Sequence, residues 1–116
     1  MTRYLISFDD GTMNHPEEDH AEVGRAAHEV VYEAQDAGVW IFGGGLHSQQ
    51  ASVVDTDGTI SNRPYPETKA IIGGFSIIDV ASHEEALMWA AKIAVACRCA
   101  QEVREIMNDP NETRSS

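Results

Sequence analysis

Basic residues are scarce. The chain carries 8 Lys and Arg against 19 Asp and Glu, a formal charge of −11 over 116 residues. Phosphate backbones are held by clustered Lys and Arg, so nucleic acid and anionic membrane surfaces are poor partners. The same charge repels anions at long range, and an anionic substrate would need a local positive group. Cysteine is nearly absent too. Cys97 and Cys99 are too few for a disulfide framework. No apolar run approaches the ~20 residues that span a bilayer. The opening run Tyr4-Leu5-Ile6-Ser7-Phe8 is ended at once by Asp9-Asp10, so no signal peptide is read there, and a cytoplasmic location is expected. Internal repeats and linkers are missing as well. One domain over residues 1–107 is expected, followed by a polar tail, 108–116, that frays.

What is present reads as an α+β domain. Tyr4 to Phe8 is a buried strand. His15-Pro16-Glu17-Glu18 resembles a helix start, with Pro at the first position, acids behind it and His15 as the cap. The helix is predicted over 16–37. Val23, Ala27, Val30, Ala34 and Ala37 form its core face, and Gly38 ends it. Glu22, Arg25, Glu29 and Glu33 lie on a solvated stripe. Val39 to Phe42 is a second strand, closed by Gly43-Gly44-Gly45. Ala51 to Val54, the turn Asp57-Gly58 and Thr59 to Ser61 read as a hairpin. Asn62 to Lys69 holds Pro64 and Pro66 and reads as a loop or an edge. Ala70 to Val80 is a strand with a bulge or close approach at Gly73-Gly74. Ser82-His83-Glu84-Glu85 is a capping box opening a second helix. From Ala94 to Met107 propensity alone continues that helix, while a final strand over 99–106 is the alternative. The order matches a split βαβ plan with an inserted β-hairpin. Both helices would cover one face of an antiparallel sheet, leaving the other face for a partner.

Several segments together resemble the YCII-related (DGPF) family. They are Pro64-Tyr65-Pro66-Glu67-Thr68-Lys69, Gly73-Gly74-Phe75, Asp79-Val80, Glu84-Glu85-Ala86 with Trp89-Ala90, and Glu102-Val103-Arg104. Many members carry Asp-Gly-Pro-Phe where this chain has Asn62-Arg63-Pro64-Tyr65, a change at three of four places. The resemblance implies a dimeric ferredoxin-like fold, an α/β barrel-type homodimer with clefts between sheet and helices. It also implies a site built on an Asp–His pair, or an accessory role beside sigma-factor regulators. The Asp after the first strand matches Asp10. The His of the first helix falls at Ala27, one place before His28, a rotation of about 100° around the helix.

Asp10 and His28 are the candidate catalytic pair, since an Asp that fixes one imidazole nitrogen leaves the other as a proton acceptor near neutral pH. The other reading is an Asp in a turn and a His at the helix boundary. His20, Gly24 and His28 share one side of the helix at spacings of four. Gly24 costs about 1 kcal/mol against Ala, and close packing or room for a ligand would account for it. Arg63 could receive an anionic group, or pair with a nearby acid. Glu67 lies in the same loop. Tyr65 and Phe75 could line a cleft or belong to the core. These five, His20, Arg63, Tyr65, Glu67 and Phe75, are the candidate substrate-binding residues. Metal binding by the His-rich first helix lacks a tight ligand signature, and no metal or other cofactor is assigned. Cys97 and Cys99 read as inert thiols, and Trp40 and Trp89 as core or interface. Gly43-Gly44-Gly45 lacks the Lys-Ser/Thr of a phosphate loop. The expected function is a small cofactor-independent enzyme performing elimination or isomerisation on a small organic molecule. The alternative is a non-catalytic dimeric ligand-binding or regulatory module.

Overall fold

The structure, a computed structural model, describes residues 1–9, 15–47, 52–61 and 72–110. Its main sheet has the strand order β2-β5-β1-β6, and every neighbouring pair is antiparallel. The strands are β1 (Thr2–Asp9), β2 (Trp40–Gly45), β5 (Ile72–Val80) and β6 (Glu102–Glu105). Between β2 and β5 the short strands β3 (Val53–Val54) and β4 (Ile60–Ser61) pair with each other as a separate two-stranded sheet. Helix α1 (His20–Asp36) follows β1, and α2 (His83–Cys97) follows β5. This is a ferredoxin-like α+β arrangement.

Side chains alternate across a strand, so cross-strand pairs assign the two faces. Tyr4 pairs with Ile78 and Ile6 with Ser76 on the helix-covered side. There Tyr4, Ile6 and Ile78 cluster with Val80, Ala34, Ala86, Trp89 and Ala90. Ile6 and Ile78 are each 1% exposed. Truncating either to Ala costs about 2–5 kcal/mol, because the removed methyl and methylene groups leave a void that the core fills only in part. On the other side, Leu5 pairs with Ile77 and Ser7 with Phe75.

The helix ends are set by local hydrogen bonds. A 3-10 turn, Glu17–Asp19, precedes α1. The regular helix therefore starts at His20 rather than Pro16, and Asp19, not His15, holds its cap position. Gly38, at φ 77°, closes α1. Gly38 donates to the Gln35 carbonyl and Val39 to the Ala34 carbonyl, the paired bonds of a Schellman end. Ser82 caps α2 by accepting from the Glu85 amide at 3.1 Å, a hydrogen bond worth about 1 kcal/mol. At the other end Arg98 takes a left-handed conformation, φ 59°. That reversal stops α2 and releases the chain into β6, so the final segment is a strand and not a longer helix.

Two irregularities shape the sheet. Phe8 pairs with Gly74 and Asp9 with Ile72, leaving Gly73 as an extra residue in β5. A Cβ on Gly74 would lie 2.7 Å from the Phe8 ring, the close approach expected from the Gly-Gly pair. In β2, Trp40 pairs with Ile78 and Phe42 with Ile77, so Ile41 bulges out. The three glycines lie inside β2, not after it, and form the free edge of the sheet.

Candidate functional site

A cavity of about 530 Å³ opens between the helices and the β2 edge of the sheet. Helix α1 supplies Ala27, Val31 and Gln35, one stripe at spacings of four, with His28 and Val30 beside it. Helical spacing puts Ala27 and Val30 in the core. They are only half-buried, because the stripe faces open space here. Ala37, past the last helical turn, is exposed. Helix α2 adds Ile93 and Cys97, again four apart, and Gln101 follows from the approach to β6. The sheet contributes Phe8, Trp40, Ser76 and the Gly43-Gly44-Gly45 edge. Phe42 and Phe75 border the cavity at the sheet edge; their pairing with Ile77 and Ser7 puts the two rings on the face away from the helices, 6.0 Å apart at 48°.

The glycines make this wall possible in different ways. At Gly43 a Cβ would meet the Phe75 carbonyl at 2.6 Å and the Trp40 ring at 2.9 Å, so the backbone lies close under the indole. At Gly44 and Gly45 a Cβ would meet nothing within 4 Å, and of the two only Gly45 shares the helix-covered face with Gly43. An edge strand also turns alternate N–H and C=O groups away from its neighbour, where they can meet a ligand.

His28 is the titratable imidazole on the lining. Its Nδ1 lies 2.8 Å from the Gly24 carbonyl oxygen. A carbonyl only accepts, so Nδ1 carries the proton and donates. In the neutral ring this leaves Nε2 with a lone pair, the form a general base requires. The ring is exposed and has Tyr32 as a neighbour, with centroids 6.3 Å apart. A Cβ at Gly24 would touch nothing within 4 Å, so close packing does not account for that glycine.

The other candidates divide. Phe75 lines the cavity with His28. His20, two turns N-terminal, does not. It stacks on His15 instead, centroids 5.6 Å apart and nitrogens 3.4 Å apart. Among the described residues, no group of three or more His, Cys, Asp or Glu is placed to hold a metal ion. Asp10, Arg63, Tyr65 and Glu67 lie outside the described residues. Sequence reasoning missed the cavity role of Phe8, Trp40, Gln35, Gln101 and the glycine edge. The one signal for it was a Gly-Gly-Gly run ending an aromatic strand, opposite a second Gly-Gly pair.

The helices that flank the cavity are tied by two ion pairs, Lys92–Glu33 at 2.7 Å and Arg98–Asp19 at 2.9 Å. Both are substantially exposed and worth well under about 1 kcal/mol each. Arg25 bridges Glu22 and Glu29 on the solvated stripe.

Burial pushes the Cys97 thiol above its ordinary range, and the neighbouring Cys99 adds to the shift. The folded state thus favours the neutral thiol, whereas the unfolded thiol ionises at lower pH. The stabilisation is complete below the unfolded value and is lost as pH rises through the folded one. At neutral pH, iodoacetamide is expected to alkylate Cys99 first and Cys97 only after unfolding or in alkali. Mass mapping that finds Cys97 modified first would contradict this burial.

Among the described residues no helix is long and apolar enough to cross a membrane. No curated protein matches the chain. The YCII-related domain matches it over residues 3–109, nearly its full length, and contains every described residue that lines the cavity. The chain therefore belongs to the YCII-related domain family.

Proposed function

We propose that the protein is a small acid/base enzyme that works without a cofactor, and that the cavity beside His28 is its active site. The observation that carries this reading is the Nδ1 hydrogen bond to the Gly24 carbonyl, which leaves Nε2 basic at the rim of an apolar cavity. Nε2 would take a proton from a carbon next to a carbonyl. The electron pair passes to the carbonyl oxygen, for which Gln35 offers an amide donor on the wall. Return of the proton to another carbon completes an isomerisation, and loss of a leaving group completes an elimination. Asp10 would act through His28 by holding its charge once protonated. Phe75 would stand at the cavity's sheet edge, and Tyr65 would meet the substrate from its loop.

The working unit is proposed to be a homodimer. The sheet face bearing Leu5, Phe75 and Ile77 carries neither helix, and Phe42 beside it is 62% exposed. A second copy would cover this surface. Sedimentation is expected to give a dimer, and Ile77→Glu a monomer; a monomeric wild type would remove this part of the proposal.

The catalytic part is tested by hydrogen exchange. Cyclopentanone has exchangeable protons next to its carbonyl and needs no cofactor. The wild type is expected to accelerate their replacement by deuterium in heavy water, followed by NMR. Binding without any acceleration would favour a non-catalytic ligand-binding module.

A further inference from the structure

We infer that the ligand of this cavity is an uncharged ring of one or two fused cycles bearing a carbonyl or hydroxyl oxygen, and not a carboxylate, a phosphate or an amine. The inference deepens the proposed function, since it concerns the same cavity. Among the described residues, the lining contains no Asp, Glu, Lys or Arg. Its polar groups are the His28 imidazole, the Gln35 and Gln101 amides, the Ser76 hydroxyl and the Cys97 thiol. The burial-raised Cys97 is a neutral thiol at ordinary pH.

Charge decides against an anion twice. At long range the −11 of the chain repels it. Against the described walls it would be stripped of water with no Lys or Arg to meet it, a cost far larger than a hydrogen bond returns. A cation would be attracted at long range, yet it would find no carboxylate on the described walls. A neutral oxygen has neither problem. An amide N–H from Gln35, or an outward amide of the Gly43-Gly44-Gly45 edge, satisfies it at no charge cost.

Shape selects the ring. Phe8 and Trp40, both on the helix-covered face, provide two aromatic walls, and Phe42 and Phe75 border the cavity only at the sheet edge. Flat π-faces pack against flat ligands in offset or edge arrangements and favour them over branched chains. The volume of about 530 Å³ falls in the range of small-molecule sites, and suits one or two fused rings with some water. The open space at Gly45, on the helix-covered face, leaves room beside the lining to admit them.

The experiment uses three ring probes of matched size: phenol, benzoate and benzylamine. Each is titrated into the isotope-labelled full chain near neutral pH, and the Trp40 indole and Gly43-Gly44-Gly45 amide resonances are followed by NMR. Phenol is expected to move these resonances and to bind at least about tenfold more tightly than benzoate or benzylamine, about 1.4 kcal/mol. Ala27→Phe, which fills the cavity from α1, should abolish those shifts. Equal or tighter binding of benzoate or benzylamine overturns the inference. The absence of any cavity shift with all three overturns it together with the site itself. A phenol preference without catalysed exchange of cyclopentanone leaves the ligand class standing and removes only the enzyme reading.

Discussion

Gly43→Ala is expected to destabilise the protein by about 3 kcal/mol, whereas Gly44→Ala one residue later changes stability by less than about 1 kcal/mol. The two sites share a strand and a residue type, so the contrast isolates what lies beside each. At Gly43 the new methyl would meet the Phe75 carbonyl oxygen at 2.6 Å and the Ser76 Cα at 2.9 Å, both backbone atoms of the paired strand. Neither can rotate away, so relief requires β2 and β5 to separate. The third neighbour, Trp40 Cη2 at 2.9 Å, would be pushed with its indole into the cavity. At Gly44 the methyl enters open space, and reduced freedom in the unfolded chain favours the folded state slightly. For a domain of this length, a loss of about 3 kcal/mol lowers the melting temperature by on the order of 10 °C. Thermal melts of the two variants check this directly. Equal melting temperatures would mean that β2 does not lie where the pairing with β5 puts it.

The second large effect is expected at His28. His28→Ala should reduce catalysed exchange of cyclopentanone by about 10²–10⁴-fold, the usual contribution of a general base. The fold should survive, because the ring is exposed and its neighbours are the Gly24 carbonyl, one turn back on the same helix, and the Tyr32 ring. His28→Gln is a stricter comparison. It preserves a polar side chain of similar reach, but an amide does not take a proton near neutral pH. Both variants should lose exchange while keeping the melting temperature and the phenol-induced shift at Trp40. Full exchange in either variant would assign the base elsewhere.

The fold was largely legible, and the failures have specific causes. The run Tyr4 to Phe8 marked β1, and Ser82 with Glu85 marked the start of α2, because apolar runs and caps are local signals. Glycine weakens strands, so propensity puts the end of β2 at Phe42. The pairing of its three glycines with Ser76, Phe75 and Gly74 overrides that tendency. The end of α2 was ambiguous because it depends on Arg98 in a left-handed conformation, and arginine gives no warning of that. The first turn of α1 tightened into a 3-10 turn that proline and acidic residues allow equally well.

The candidate site was legible in part. Helical spacing showed that Ala27 and Val30 point inward, but periodicity cannot distinguish a filled interior from an empty one. His28 stood out as an imidazole on that helix, yet its hydrogen-bond partner is a main-chain carbonyl, which no sequence pattern marks. His20 shares the helix side by spacing and still falls outside the cavity, because it stands on the first turn beside His15. The aromatic walls Phe8 and Trp40 come from β1 and β2, and only the pairing of both strands with β5 puts them on one face.

The most direct test is the protonation pattern of the His28 ring, read by long-range proton–nitrogen correlation in the neutral protein before and after adding cyclopentanone. The predicted result is a proton on Nδ1 and a bare Nε2 whose resonance moves with the ligand. A ring protonated on Nε2, or one whose Nε2 ignores the ligand, would contradict the assignment of His28 as the base.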